Sequence, residues 1–201
     1  MRLALIALFA VAIWWGVDDW QRREIDRPPG VLVSAEPTQR DIAATGPIRV
    51  GKYTLTPRAE FGVTARVLSS ERYRFDSMAD LIPRDIALGW GPMSDSSLIA
   101  NIDISQSGRF YFWRPRETQS HAPMASLEMI AASSANMHLI PANANVARII
   151  DRARVGHIIE LHGQLVDVRA DNGWQINTSL SRNDTGAGAC EIIYVERAAT
   201  R

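Results

Sequence analysis

The chain has 201 residues and no formal net charge, with 22 basic and 22 acidic side chains. Hydrophobic residues make up 46% of it and charged residues 22%, which is the composition of an ordinary globular domain with one buried core. The balanced charge excludes a strong field that would attract nucleic acid or an anionic surface. The single cysteine, Cys190, excludes an intrachain disulfide.

The chain begins with an apolar stretch, LALIALFAVAIWWGV, over residues 3–17. As a helix it spans roughly 22 Å, against about 30 Å for a hydrocarbon core, so its length suits the core of an export signal. A tryptophan cluster that ends at Trp20 favours the membrane interface, and no small-residue cleavage pattern follows the stretch. We predict an uncleaved signal-anchor over residues 1–23 that sends the rest of the chain across the membrane, with a cleaved signal and a buried helix of a soluble protein as the alternatives.

Residues 24–47 contain four prolines and two glycines and have little periodicity. This composition predicts a flexible linker between the anchor and a globular domain over residues 48–201. At the start of that domain, Gly51-Lys52 suits a two-residue hairpin turn. A strand is expected next, with the alternating apolar residues of 61–67 on one face.

The middle of the chain predicts short helices and one strand. Residues 80–102 are expected to form short helices interrupted at 89–92, with Ser94 as the candidate cap of the second helix. Residues 110–113 (FYFW) are apolar at every position, which predicts a strand that is buried on both faces.

The C-terminal third has the clearest periodicity. Val146, Ile150 and their neighbours repeat with helical spacing after Pro141. Residues 157–169 then alternate as a strand whose phase changes near Gly163, which indicates a bulge or a sharp bend. A hairpin turn at residues 171–173 and two further strands follow. This order predicts an α+β, mostly β fold: a membrane helix followed by a small OB-like or related β-barrel with short helices.

Candidate catalytic residues are few. Asp184 begins a D-T-G-A sequence like that of aspartic proteases, but polar residues precede it and only residues 188–201 follow, too few for that fold. Cys190 lies in an apolar strand, where a core cysteine is the simpler interpretation. His162 shares a strand face with Glu160, and the histidines have no metal-ligand spacing. We therefore predict no metal and no cofactor.

Several stretches together resemble an uncharacterised family of short membrane-anchored bacterial proteins: YTLTPRAEF, ALGWGPMSD, ISQSGRFYFW, SANMHLIPA and SLSRNDTGAGACE. The resemblance covers roughly residues 50–196. It implies a bacterial source and one exported domain, and it carries no activity. The expected location is the bacterial inner membrane, single-pass, with the C-terminal domain in the periplasm.

The sequence favours a binding or assembly module without a catalytic motif. Its expected partners are the membrane, through the N-terminal helix, and another envelope protein, with no nucleic acid. Loops on a rigid scaffold commonly carry binding, so the candidate contact residues are Trp90, Asp95, Arg182 and Asp184. The alternative is a hydrolase whose residues are dispersed in sequence, with Asp184, His162 and Cys190 as candidates; close approach of two of them would favour it.

Overall fold

The computed structural model describes residues 23–43, 45–116, 126–181 and 190–201. These residues form a mostly β, α+β domain with ten strands, three short α-helices and a 3-10 helix at Gly91–Ser94. The strands are β1 Thr38–Asp41, β2 Ile48–Val50, β3 Tyr53–Arg72, β4 Arg84–Gly89, β5 Ile102–Ser107, β6 Phe110–Pro115, β7 Ser134–Pro141, β8 Ile158–Ala170, β9 Gln175–Ile176 and β10 Glu191–Thr200. The helices are α1 Ser96–Ile99, α2 Leu127–Ala132 and α3 Ala144–Arg152.

Strand β3 organises the main sheet. One of its edges pairs in succession with β2, β1 and β4, and the other edge pairs with β8 from Tyr53 to Arg66. A straight strand of 20 residues would be roughly 65 Å long, more than a domain of this size can accommodate. The register shifts at Pro57–Ala59 and at Val67–Ser69 break the pleat, as bulges do where a strand bends.

Five strands are joined by hydrogen bonds in a closed cycle. The order is β3, β4, β7, β10 and β8, and β8 pairs again with β3. All these pairs are antiparallel except that of β7 with β10, and α3 makes the connection between β7 and β8. Side chains that point inside the cycle form the main core, including Phe61, Val63, Leu88, Leu139 and Ile193.

The phase change in β8 marks its passage from one core to another. Leu161 and Leu165 belong to the main core, whereas Val166 and Val168 belong to a second core that β8 shares with Tyr53 and Leu55. The predicted irregularity is present, but it lies in the partner strands: the register shifts at Pro57–Ala59 of β3 and at Val195–Arg197 of β10. An extra residue in β3 keeps both strands facing the same core on each side of the shift.

The segment over residues 24–47, predicted as a flexible linker, lies on the domain instead. Ile25 N donates to Val155 O at 2.9 Å, Val33 is buried in the main core, and β1 pairs with β3. The backbone N–H groups of Leu32 and Val33 both donate to Ser94 Oγ at 3.0 Å. The folded unit therefore begins before Ile48, because partners distant in sequence satisfy a segment that has no periodicity of its own.

Two local predictions in the middle of the chain were wrong. Residues 84–89, expected to be helical, form the central strand β4, because pairing on both edges overrides a weak local preference. Strand β6 was expected to be buried on both faces, but Phe110 and Phe112 are 47% and 53% exposed.

Three predictions near the turns and helices have clear outcomes. The Gly51 turn and helix α3 are confirmed. The cap of α1 is Asp95 rather than Ser94.

The predicted membrane segment lies outside the described residues, apart from Arg23; within those residues, no helix combines the length and the apolar character needed to cross a bilayer.

Gly163 occupies a position where two backbones nearly touch. A Cβ atom there would lie 2.0 Å from Tyr194 O, a separation that real Cβ atoms do not adopt. We expect Gly163→Ala to lower the free energy of unfolding by about 3 kcal/mol or more, since the backbone of β10 must move. Urea denaturation measures this. Gly46→Ala is the matched control, because its Cβ meets nothing within 4 Å, and equal stability losses for the two variants would contradict the packing explanation.

Candidate functional site: the β5–β6 hairpin and its buried ionic anchor

Strands β5 and β6 form a hairpin in the connection between β4 and β7. Ser107 pairs with Phe110, which leaves Gly108 and Arg109 as the two turn residues, with φ of 58° and 70°. Two positive φ values define the turn that best matches the twist of a hairpin. Glycine adopts this conformation freely, whereas for arginine it costs energy, so the surrounding contacts must hold Arg109 there.

The Arg109 side chain makes those contacts. Its Nε and Nη2 donate to the two carboxylate oxygens of Asp76 at 2.9 and 2.8 Å, which is a bidentate pair. Its Nη1 donates to Asp85 Oδ1 at 3.2 Å, and its Nη2 also donates to Ile82 O at 3.0 Å. The Tyr73 ring lies 4.1 Å from the guanidinium carbon and its hydroxyl accepts from Arg109 N at 2.9 Å. With Arg109 only 9% exposed, this network fixes the turn of the hairpin onto the sheet.

A row of polar side chains lies beneath Arg109 on the outer face of strands β4 and β7. Asp85 of β4 faces His138 of β7 directly across the ladder, and Oδ1 of Asp85 lies 2.9 Å from Nδ1 of His138. Asn136 lies two residues before His138 on the same face of β7, and its Nδ2 donates to Arg109 O at 3.1 Å. The same Nδ2 lies 3.9 Å from the sulfur of Cys190, the residue that precedes β10. Asp85, Asn136 and His138 are each at most 4% exposed, so the row is enclosed.

The charge state of His138 follows from this environment. Burial lowers its pKa, but the hydrogen-bonding and charge interactions with Asp85, and then with Cys190, raise it, and the net result is a pKa of about 9. The imidazole therefore carries a positive charge at neutral pH. Asp85 lies between this imidazolium and the Arg109 guanidinium, so each buried cation faces a carboxylate.

The two faces of the hairpin have different environments. Tyr111 and Trp113 point towards the sheet and pack on a third core that includes Met93 and Leu98. The alternate residues Phe110 and Phe112 point outwards, with their ring centroids 6.3 Å apart. Opposite them on β5 are Ser107 and Ser105, and the next pair is Arg114 with Asp103, which form an ion pair at 3.3 Å.

Another exposed phenylalanine lies beside the anchor. Phe75, which is 97% exposed, directly precedes Asp76, and Phe110 directly follows Arg109. The Asp76–Arg109 pair therefore joins the two segments that carry these phenylalanines at the turn end of the hairpin. We define the aromatic face as Phe75, Phe110 and Phe112. An exposed apolar surface beside small polar residues is typical of a contact site.

The predicted contact residues have other surroundings. Trp90 is only 3% exposed and packs in the main core, and its backbone N–H donates to Ser133 O. Asp95 accepts from Gly30 N at 2.9 Å and from Ser97 N at 2.8 Å, so it caps α1 and holds the N-terminal segment. Arg182 and Asp184 lie outside the described residues.

The residues named for the alternative hydrolase do not converge where the structure describes them. His162 pairs with Arg197, whereas Cys190 precedes the other end of β10, which separates the two by roughly 20 Å along the strand. His162 Nε2 contacts Glu160 Oε1 at 2.8 Å on an exposed face. Asp184 is not among the described residues.

Within the part of the chain that the structure describes, no group of three or more His, Cys, Asp or Glu side chains is arranged to hold a metal ion. Comparison of the chain with family models, with curated proteins and with solved structures finds no match.

Sequence reasoning missed Asp85 and Arg109. A signal for the turn was present: Gly108 and Arg109 separate the alternating run IDISQS from the aromatic run FYFW, which is a hairpin spacing. Nothing comparable marks Asp85, because its partners come from β7 and from the hairpin turn.

The raised pKa of His138 makes stability depend on pH. Because the folded state binds this proton more tightly than the unfolded state, the stabilisation is fully present below pH 6.5, decreases as pH rises, and is lost above about pH 9. We expect the free energy of unfolding to fall by up to about 3 kcal/mol between pH 7 and pH 9.5. Urea denaturation across this range measures it. The His138→Gln variant should show little of the slope; an unchanged slope would contradict the assignment.

Arg109 and Arg114 allow a matched comparison within one hairpin. Arg109→Lys keeps the charge but loses the bidentate fork in a buried site, so we expect a loss of about 2–3 kcal/mol in the free energy of unfolding. Arg114, whose side chain is 82% exposed, pairs with Asp103 in solvent, and Arg114→Lys should change stability by less than about 0.5 kcal/mol. Chemical denaturation of both variants tests this, and similar losses would show that the fork at Arg109 is unimportant.

Proposed function

We propose that the chain is a non-enzymatic binding or assembly module of the bacterial inner membrane. In this proposal residues 1–23 form a single-pass signal-anchor, the domain lies in the periplasm, and its partner is another envelope protein. The observation that carries the binding role is the aromatic face, which presents Phe75, Phe110 and Phe112 to solvent. The anchor and the location rest on the apolar N-terminal stretch and on the family resemblance.

The architecture that we propose for the closed cycle of strands is an OB-type barrel. Three features support it: the fifth strand of the cycle lies between the third and the fourth, the third and fifth strands are parallel, and a helix connects the third to the fourth. OB-type barrels commonly bind ligands on the face of their second and third strands. Here those strands are β4 and β7, and the hairpin covers part of their outer face through the Arg109 network.

The hairpin covers polar side chains of β4 and β7 and presents exposed aromatic side chains in their place. Phenylalanine and arginine are enriched where proteins meet, and a few aromatic anchors commonly supply most of the binding energy. A phenylalanine side chain has only two rotatable bonds, so little conformational entropy is lost when Phe110 and Phe112 are covered. Ser105 and Ser107 leave the surrounding surface polar and uncharged, and Arg114 is neutralised by Asp103. This composition suits a protein surface better than nucleic acid or an anionic bilayer, both of which require unpaired positive charge.

The test is recovery of a crosslinked partner from membranes with the full chain. We expect the Phe110→Ser, Phe112→Ser double variant to recover at least tenfold less crosslinked partner than the wild type, because each ring is a candidate anchor. Circular dichroism should show that the double variant remains folded. Val31→Ser is the control, since Val31 is similarly exposed at 53% but lies on the N-terminal segment.

Two outcomes would contradict the proposal. In the first, the double variant and the control recover the same partner in equal amounts, so the aromatic face takes no part. In the second, the crosslinked species is a second copy of the chain, and sedimentation of the wild type shows the same self-association. The face would then be a dimer interface rather than a site for another protein.

A further inference from the structure

A pocket of about 380 Å³ lies on the side of the domain where the N-terminal segment crosses β3. Its walls include the apolar side chains of Leu68, Ile99, Ile102 and Ile104. Glu24, Asp26 and Arg27 line it from the N-terminal segment, and Arg116 lines it from the end of the hairpin. This volume is within the range of pockets that hold small molecules, which is about 300–1,000 Å³.

Arg66 is the buried cation of this pocket. It points outwards from β3, between Ala65 and Val67, which face the main core, and its side chain is only 5% exposed. Its Nη1 donates to Ser96 Oγ at 2.6 Å and to Ser94 O at 3.3 Å. One face of the guanidinium is therefore fixed by α1 and by the residue before its cap.

The other amine of Arg66 is not matched by a close acceptor. The nearest carboxylate, that of Glu24, lies 3.8 Å from Nη2, which is beyond hydrogen-bond distance, and it is itself 58% exposed. Burial lowers the pKa of Arg66, opposed by the charges of Glu24 and Asp95 and reinforced by that of Arg27. The guanidinium is thus charged, largely removed from water, and only weakly compensated among the described residues.

The other arginines of the pocket are less buried than Arg66 and also donate to neighbouring groups. Arg27 donates through Nε to Gly156 O at 2.9 Å and through Nη2 to Arg201 O at 2.7 Å. Arg116 donates through Nε to Asp103 Oδ1 at 2.6 Å and through Nη1 to Ala100 O at 3.0 Å. Each of the three arginines makes two of these hydrogen bonds and has five N–H donors, so what distinguishes Arg66 is that its guanidinium is buried. A buried guanidinium is stabilised most by a planar oxoanion, which it binds through two parallel hydrogen bonds.

We propose that this pocket binds an oxoanion, a carboxylate or a phosphate ester, that is carried on an apolar group. The oxoanion lies against Arg66 and Ser96, and the apolar group packs on Ile99, Ile102 and Ile104. Arg27, Arg66 and Arg116 exceed Glu24 and Asp26 in the pocket lining by one charge, so the lining best matches a monoanion. Such chemistry belongs to soluble fatty acids and to the phosphate ester of an anionic phospholipid, and Glu24 follows closely on the apolar N-terminal stretch.

Hexanoate is the probe for the first experiment, with the full chain in nanodiscs of phosphatidylcholine. The isoleucine methyl groups carry a carbon-13 label, so that shifts at Ile99, Ile102 and Ile104 both locate the ligand and give its affinity. We expect saturable shifts at these methyls, with affinity at least tenfold weaker in Arg66→Gln and at least tenfold weaker for inorganic phosphate than for hexanoate.

Ala100→Trp is the second variant, because Ala100 is exposed at the pocket and its replacement blocks the space without removing Arg66. This variant should also bind hexanoate at least tenfold more weakly than the wild type, and it keeps the test valid if Arg66→Gln fails to fold. The proposal is overturned if the wild type shows no saturable shifts, if Ala100→Trp binds hexanoate as the wild type does, or if inorganic phosphate binds as tightly as hexanoate.

Nanodiscs of phosphatidylglycerol distinguish the two sources of the ligand. If the headgroup of an anionic lipid occupies the pocket, hexanoate affinity in these discs falls in the wild type, because the lipid competes, and the methyl shifts are present before hexanoate is added. If the ligand is soluble, hexanoate binds with the same affinity in both kinds of disc. Each result supports an oxoanion site and assigns its source.

Discussion

Arg109 at the turn of the β5–β6 hairpin is the interaction on which the middle of this protein depends. Strands β4 and β7 carry Asp85, Asn136 and His138 on their outer face, where exposure to water would otherwise satisfy them. The hairpin excludes water from that face, so it must supply hydrogen-bond partners for these side chains. Arg109 supplies two of them: its guanidinium donates to Asp85, and its backbone carbonyl accepts from Asn136. The positive φ of Arg109 is the local cost of placing the guanidinium there.

This ionic anchor connects the inside of the hairpin to its outside. Strand alternation places Tyr111 and Trp113 on the sheet side and therefore places Phe110 and Phe112 in solvent. The anchor fixes the turn end, while Arg116 N donates to Asn101 O at the other end. A hairpin of two strands is marginal alone, and its anchored turn and its apolar inner face, which packs on the third core, give the aromatic face a defined position. The same hairpin contributes Ile104 and Ile102 to the wall of the Arg66 pocket.

Two long strands explain how one sheet serves two cores. β3 and β8 pair over most of their lengths, and the pairing continues past the closed cycle into the second core. Such continuity requires a change of side-chain parity at the boundary, which the extra residue of β3 near Pro57 allows. Pro57 is tolerated there because a bulge does not require every N–H to enter the ladder. Gly163 permits the close approach of β10 at the same part of the cycle.

Local sequence was sufficient where the determinants are neighbours in the chain. The Gly51 turn, helix α3, the alternation of residues 61–67 and the phase change of β8 all follow from short-range periodicity and turn chemistry, and so does the mostly β composition of the fold. Only the tertiary structure decided that residues 24–43 belong to the domain, that residues 84–89 form a strand, and that Trp90 is buried. It also decided that Asp85 meets Arg109 and that Arg66 faces a pocket. In each of these cases the partner lies tens of residues away, so the free energy comes from burial and hydrogen bonds that no local window contains.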